Sequence, residues 1–212
     1  LVLTAVLLAV RFPKDQVLLF LGEEVERRIP GVGCHIEDMS YQYPLTLVFS
    51  RVDLLLEREQ FGLRCDDVQM SFSTAQPGRR VTLRANLLDG EVQSDLLFDP
   101  ADNTLTLQKL TLFQLNMGQL EPLQRRLKRQ SQGLLSFAGR AQVQLPAGQL
   151  KQLSGSLQFD ALELPLKRPI LQEIQVSFAQ VNMAVALARR TISIIDGTGT
   201  GVGDDRVALL LV

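Results

Sequence analysis

The chain has 212 residues, which suits one domain or a tight pair of domains and is too short for three. Its 22 lysines and arginines balance 23 aspartates and glutamates, so no net positive field exists to attract nucleic acid. Hydrophobic residues make up 46% of the sequence, which excludes wholesale disorder, and 40 of them are leucines. A single histidine and two cysteines leave little material for catalysis or metal binding, so we expect neither an enzyme nor a cofactor.

The first ten residues, LVLTAVLLAV, are continuously apolar. They supply about half of the roughly 20 residues that a membrane-spanning helix needs. We therefore interpret residues 1–12 as a truncated membrane anchor or signal sequence, with a buried strand or core helix as the alternative. Arg11 and Lys14 favour a cytoplasmic position for the downstream chain by the positive-inside rule, unless residues upstream of Leu1 carry more positive charge. Residues 13–212 are expected to form one β-rich domain.

The first helix is predicted to begin at Pro13 and to end before Pro30-Gly31. Its acidic and basic residues collect away from one broad apolar face. That face is predicted to contain Val17, Leu18, Phe20, Leu21 and Val25. The helix is amphipathic and follows an apolar stretch directly, so we expect it to lie at a membrane surface or to cap a sheet.

From about residue 35 the hydrophobic period changes to two, which is typical of half-buried strands. Turn signals such as Asp89-Gly90 separate roughly ten predicted antiparallel strands. The alternation also changes phase inside several strands, as a β-bulge would make it do. These changes fall at Ser50-Arg51, Asp66-Asp67, Lys109 and Asp160-Ala161.

One segment, residues 118–133, interrupts the strand pattern. It places Leu120, Leu123 and Leu127 at helical spacing among several arginines and lysines. We interpret it as a short amphipathic helix packed on an edge or end of the sheet. The alternative is a basic interfacial helix that contacts anionic lipid.

The predicted strands carry aliphatic residues on one face and Gln, Arg, Ser, Thr and Asp on the other. Such a face forms either an open apolar groove or the closed core of a β-sandwich, and periodicity alone does not separate the two. The fold class is mainly β in both cases. The candidate groove residues are Leu83, Leu105, Leu107, Leu112, Leu135, Phe137, Val143, Leu157, Phe159, Val176 and Phe178.

The cysteines and the histidine do not form a catalytic pair in this pattern. Cys34 and His35 are neighbours, and in a strand they would point to opposite faces. Two interpretations remain open for Cys34 and Cys65, a disulfide or two buried thiols. Asp66-Asp67 and Asp204-Asp205 are expected to be solvated acids at bends rather than cation ligands.

The glycine-rich run GTGTGVG at 197–203 is similar to a phosphate-binding loop only in composition. Such loops need a helix directly after the glycines to present its N–H groups to the phosphate. Here Asp204, Asp205 and a strand pattern follow, and the two acids would repel phosphate. We therefore predict a flexible loop or a glycine-rich strand.

The order of these features resembles a known family. An apolar start and a Pro-led amphipathic helix precede leucine-rich strands, with PLTLVFSRVDL at 44–54, LLSFAGRAQVQLP at 134–146 and LSGSLQFDALEL at 153–164. This order is similar to that of type II secretion system protein N and, more broadly, of the AsmA-like proteins of Gram-negative inner membranes. The resemblance implies a single-pass inner-membrane protein with its bulk in the periplasm and a long curved antiparallel sheet with an apolar concave face. It also implies lipid handling and an accessory role in protein transport, and it supplies no catalytic residues.

Two functions follow as expectations. The first is a non-enzymatic, membrane-anchored groove protein that assists secretion, with lipid acyl chains and other secretion-system or envelope proteins as partners. The second is a structural β-sandwich module that binds envelope proteins through its strand edges and holds no lipid. Neither involves nucleic acid or a cofactor.

Overall fold

The computed structural model of the chain describes most of the predicted β domain. The described residues are 14–28, 31–43, 45–56, 60–75, 79–127, 130–145, 149–170, 173–188, 191–201 and 206–208. The predicted anchor at 1–12 and the pair Asp204-Asp205 lie outside these ranges.

Two α-helices, one short 3-10 helix and twelve strands make up the described chain. The helices are α1 (Lys14–Arg28), the 3-10 helix (Met117–Gln119) and α2 (Glu121–Leu127). The strands are β1 (Val32–Ile36), β2 (Met39–Gln42), β3 (Thr46–Leu56), β4 (Phe61–Phe72), β5 (Arg80–Leu87), β6 (Gly90–Asp99), β7 (Thr104–Asn116), β8 (Gln132–Gln144), β9 (Gln149–Ile170), β10 (Glu173–Ala188), β11 (Thr191–Gly201) and β12 (Arg206–Ala208).

All described strands belong to one antiparallel sheet. From β3 onward each strand pairs with the next one along the chain up to β12, and β1 and β2 both pair with β3. A spacing of about 4.8 Å between strands gives this sheet a width of roughly 48 Å. The predicted long antiparallel sheet is therefore confirmed. The alternative of a closed sandwich is wrong, because it needs a second sheet and the described strands form one open sheet.

β-Bulges occur where the sequence pattern changes phase. Asp67, Lys109 and Ala161 each have a left-handed backbone with φ near 50°. In the β3–β4 ladder Phe49 pairs with Val68 and Arg51 pairs with Asp66, so Ser50 and Asp67 lie between two paired positions. Gln114 makes a further bulge that the sequence pattern did not predict. Each bulge turns the next apolar side chain back to the same face of the sheet.

The β5–β6 turn differs from the predicted one by one residue. Leu88 and Asp89 are the turn residues, with φ of 51° and 60°, and Gly90 already pairs with Leu87. Gly90 is required for another reason, since a Cβ there would lie 2.4 Å from the carbonyl oxygen of Phe113. A glycine that permits close approach of two strands looks, in sequence, like one that makes the turn.

Helix α1 covers one end of the apolar face. Val17, Leu18 and Leu21 pack against a buried cluster made of Met39, Phe49, Val68 and Ala85. Lys14 pairs with Asp38 and thereby lowers the pKa of that carboxyl, first through their hydrogen bond. The predicted cap on a sheet is thus present, but Phe20 is 59% exposed and was wrongly assigned to the packed face. It lies about 100° around the helix from Leu21.

The 3-10 helix and α2 form a helical insert between β7 and β8. Its anchor is Gln124, whose amide nitrogen donates to the carbonyl oxygens of Met117 and Ser131, both at 2.9 Å. The Gln124 side-chain oxygen accepts from the backbone N–H of Ser131 at 2.7 Å. Ser131 is fully buried, so these bonds satisfy polar groups that water does not reach. The predicted mid-chain helix is confirmed, although α2 has only seven residues.

Two glycines face each other on β8 and β9, where the strand backbones leave no room for a side chain. Gly139 pairs with Gly155, and the ring of Phe137 lies over both of them. A Cβ at position 139 would lie 2.2 Å from the carbonyl oxygen of Ser154, and one at position 155 would lie 2.4 Å from that of Ala138. The strand backbones occupy the space that any larger residue would need.

We expect Gly139→Ala and Gly155→Ala each to lower the free energy of unfolding by roughly 1–3 kcal/mol, because the backbone must move to admit the methyl group. Gly62→Ala is the matched control, since a Cβ there meets nothing within 4 Å. Urea denaturation followed by circular dichroism measures the three variants. Equal stabilities for all three would contradict the close approach of β8 and β9.

Candidate functional site: the apolar face

The strand register brings the predicted groove residues together on one face of the sheet. Across β7, β8 and β9, Leu112 lies opposite Phe137, which lies opposite Leu157. Leu105 faces Val143 in the same way. These rows continue the aliphatic pattern from strand to strand, so the apolar face is a property of the whole sheet.

The other groove candidates follow the same register. Leu135 pairs with Phe159, and Phe178 and Val176 pair with the apolar residues Leu162 and Leu164 of β9. Leu83 and Leu107 extend the face into β5 and β7. Phe137 is buried, whereas the other ten candidates are half-buried. Half-buried leucines on a continuous face indicate that one layer of protein, rather than two, surrounds them.

Two packed clusters flank the less covered part of the face. One is the cluster beneath α1, and the other contains Met117 of the insert with Leu162 and Val181. Several apolar side chains belong to neither cluster and are half-buried or exposed. We call these residues the open stretch: Leu96, Phe98, Leu105, Leu107, Val143, Leu150 and Leu153.

The described part of the glycine-rich run, residues 197–201, forms part of this face. Gly197 and Gly199 are buried in β11 opposite Met183 and Val181. Thr198 lies between them and therefore points to the other face. The expectation of a glycine-rich strand is confirmed for residues 197–201. Because glycine has no side chain, Gly197 and Gly199 add no side-chain layer to the apolar face.

The opposite face of the sheet is polar and carries cross-strand ion pairs. Arg64 on β4 pairs with Asp53 on β3 at 3.1 Å. Arg51 lies 3.0 Å from Glu37 and 3.5 Å from Asp66. These groups are largely exposed, so each pair contributes little to stability. Their charges favour contact between this face and water. The apolar face is therefore the one that gains from burial against other apolar groups.

A further ion pair lies on the same polar face between β5 and β6. Arg80 donates to Asp95 at 3.0 Å and Thr82 donates to the same carboxyl at 2.9 Å. The Arg80 bond first and the Thr82 bond second lower the pKa of Asp95. The carboxyl is therefore held in its charged form and marks the water-facing side of these strands.

The cysteines are free thiols on the apolar face, so the predicted possibility of a disulfide is wrong. Cys34 on β1 and Cys65 on β4 have β3 between them, because they pair with Leu54 and Val52 of that strand. Two strand spacings separate them by roughly 9.6 Å or more, beyond the limit of about 7 Å for bridged Cα atoms. His35 points to the polar face opposite Asp53, as predicted.

Burial raises the pKa of both thiols. For Cys34 the further cause is the nearby charge of Glu26, and for Cys65 it is chiefly the charge of Asp66. Thiols that are harder to ionise are poor nucleophiles and poor metal ligands. Within the described ranges, moreover, no three His, Cys, Asp or Glu residues gather as metal ligands would.

Comparison with family models, with curated proteins and with solved structures finds no match to this chain. The fold and the face nevertheless define a class of protein: a mainly β chain whose single antiparallel sheet is polar on one side and aliphatic on the other. Neither described helix is long and apolar enough to cross a membrane. The likeness to type II secretion system protein N remains a prediction.

We expect Cys34 and Cys65 to react slowly with iodoacetamide at about pH 8, because their raised pKa lowers the thiolate fraction. The alkylation rate should still be rising above pH 9.0, the ordinary thiol pKa. Mass spectrometry of the labelled peptides against pH measures this, with the urea-unfolded chain as control. If the native and the urea-unfolded chains were alkylated at the same rate at about pH 8, that result would contradict the burial of the two thiols.

Proposed function

We propose that this chain is a non-enzymatic, membrane-associated groove protein whose apolar face holds lipid acyl chains. One observation carries the proposal. A twelve-stranded sheet keeps a continuous aliphatic face, and in its open stretch that face is covered by neither α1 nor the insert. Monomers rarely expose contiguous apolar patches of more than a few hundred Å² unless the patch binds something.

The chemistry of the open stretch favours alkyl chains over other ligands. Its side chains are aliphatic apart from Phe98, and they offer no hydrogen-bond donor or acceptor to a polar ligand. The buried hydroxyl of Ser94 on the same face is already used, since it donates to the carbonyl oxygen of Gln108. A ligand held here would therefore gain from removal of apolar surface from water, at about 25 cal/mol per Å².

The exposed side of α1 supports a position at a membrane. Leu19 and Phe20 are 69% and 59% exposed on a helix that follows the apolar residues 1–10. Apolar side chains in that position suit the boundary between headgroups and acyl chains. The inner membrane, the periplasm and an accessory role among type II secretion or envelope proteins enter the proposal through the sequence likeness alone.

A charge in the open stretch should abolish lipid binding. We expect Val143→Asp to weaken binding of a fluorescent fatty acid, cis-parinaric acid, by about tenfold or more, because a carboxylate replaces apolar contact. Gln142→Asp is the matched control, because residue 142 is next to Val143 in the chain and its side chain points to the polar face. Fluorescence titration of the folded proteins gives the dissociation constants.

Unchanged binding by Val143→Asp, or equal losses in both variants, would contradict the proposal. Phe137 is the less suitable position for this test, because it is buried over Gly139 and Gly155. A carboxylate at Phe137 should unfold the sheet rather than report on ligand binding. Native mass spectrometry of the purified chain adds an independent measurement. If no acyl-chain ligand or detergent copurifies and none binds on titration, the lipid-binding proposal is wrong. An interaction module that binds other proteins without lipid would then be the better account of the function.

A further inference from the structure

One strand of the sheet extends beyond its neighbour and leaves a free edge. Strand β4 runs from Phe61 to Phe72, but its pairing with β5 begins only at Cys65, opposite Leu87. Residues 61–64 therefore pair with β3 on one side, and no described strand pairs with them on the other. We call this free edge and the gap beside it the notch.

The pairing pattern shows which backbone groups face the notch. The carbonyl oxygen of Arg51 accepts from the N–H of Glu37, so the Arg51 peptide groups point away from β4. These directions alternate from one residue to the next, so every second residue along β3 points the same way. The backbone groups of Asp53 and Leu55 therefore also point away from β4, and neither residue exchanges backbone hydrogen bonds with its partner on β4. Their partners on β4, Arg64 and Gly62, must then direct their N–H and C=O groups outward into the notch.

A cavity of about 840 Å³ lies at this edge. It is lined by Leu63 and by Arg64, which point to opposite faces of the sheet, so it surrounds the edge rather than lying on one face. Turn residues Leu88 and Asp89 bound it where β5 ends, and Gln119 of the insert bounds it further along. The cavity thus includes the place that a neighbouring strand would fill, and it also extends past β4 and β3 to Cys34 and His35 of β1.

The charges around the notch are mostly negative. The lining contains five carboxylates and one guanidinium. Asp53, Asp66 and Glu121 each pair with an arginine, whereas Glu26 and Asp89 add negative charge that no described ion pair offsets. The carboxylates belong to Glu26, Asp53, Asp66, Asp89 and Glu121. An acidic lining of this kind favours a positively charged partner and repels a negatively charged one.

We propose that the notch binds an extended, basic segment of another protein as an added β-strand beside residues 61–64. Gly62 and Arg64 supply the backbone hydrogen bonds, which is how exposed sheet edges capture peptides. Side chains of the added strand alternate between the two faces of the sheet, so one set lies beside Phe61 and Leu63 of β4 and the other set lies beside Gly62 and Arg64, within the acidic lining of the cavity. A segment of alternating aliphatic and basic residues fits both sets. This site is distinct from the lipid groove of the proposed function.

The test compares two substitutions at one position. Gly62→Pro removes the outward N–H that an added strand needs, and proline is tolerated where a strand edge faces solvent. Gly62→Ala keeps the N–H, and its Cβ meets nothing within 4 Å. The probe is a short capped peptide of alternating Lys and Val, with a Glu/Val peptide of the same length as its control. Fluorescence anisotropy of labelled peptides gives the affinities.

We expect the wild-type chain and Gly62→Ala to bind the Lys/Val peptide equally, and Gly62→Pro to bind it about tenfold or more weakly. The Glu/Val peptide should not bind, and Glu26→Gln with Glu121→Gln should weaken binding of the basic peptide. Circular dichroism and unchanged fatty-acid binding by Gly62→Pro would show that the fold and the groove are intact.

Three outcomes would overturn the proposal. Equal binding by Gly62→Pro and Gly62→Ala would mean that the strand edge is not the contact. Binding of the Glu/Val peptide as tightly as the Lys/Val peptide would remove the role of the carboxylates. A dimer of the peptide-free chain that Gly62→Pro abolishes, seen by analytical ultracentrifugation, would assign the notch to a second copy of this chain instead. Because fatty-acid binding is measured separately, each result leaves the lipid proposal to its own test.

Discussion

The constraint behind this structure is that a single sheet keeps its own apolar face without a second sheet to bury it. Backbone hydrogen bonds are satisfied between neighbouring strands, so they favour the sheet whatever lies on its faces. Side chains decide the rest. One face carries ion pairs such as Asp53–Arg64 and remains in water, while the other collects leucines that water disfavours.

Two small helical elements cover parts of the apolar face, and β-bulges bend the sheet. Helix α1 and the insert each bury a cluster at one end of the apolar face. Between them, bulges at positions such as Lys109 and Ala161 add twist to the sheet. Left-handed backbone at residues other than glycine costs about 1–3 kcal/mol where the surroundings impose it. The sequence parity of the apolar residues changes at each bulge, and the bulge offsets that cost by keeping these residues on one face of the sheet.

Much of the sheet could be predicted from local pattern. Alternation with period two located the strands, and its phase changes located the bulges at Asp67, Lys109 and Ala161, because side-chain direction is a local property of the backbone. The choice between groove and sandwich depends on what packs over the face, which no local pattern records. The notch depends on the lengths of β4 and β5 after pairing, and the bonds from Gln124 to Ser131 depend on the folded insert.

The strand order has a consequence for how this protein is held together. Because nearly every strand contacts only those next to it along the chain, the sheet behaves as a linear array in which each pair stabilises its neighbours. Such an array can open from an end without loss of its middle, since among the described strands those at one end of the sheet do not pair with those at the other. Hairpins can likewise be added or removed at an end without changing the topology. The width of the apolar face is thus set simply by the number of strands.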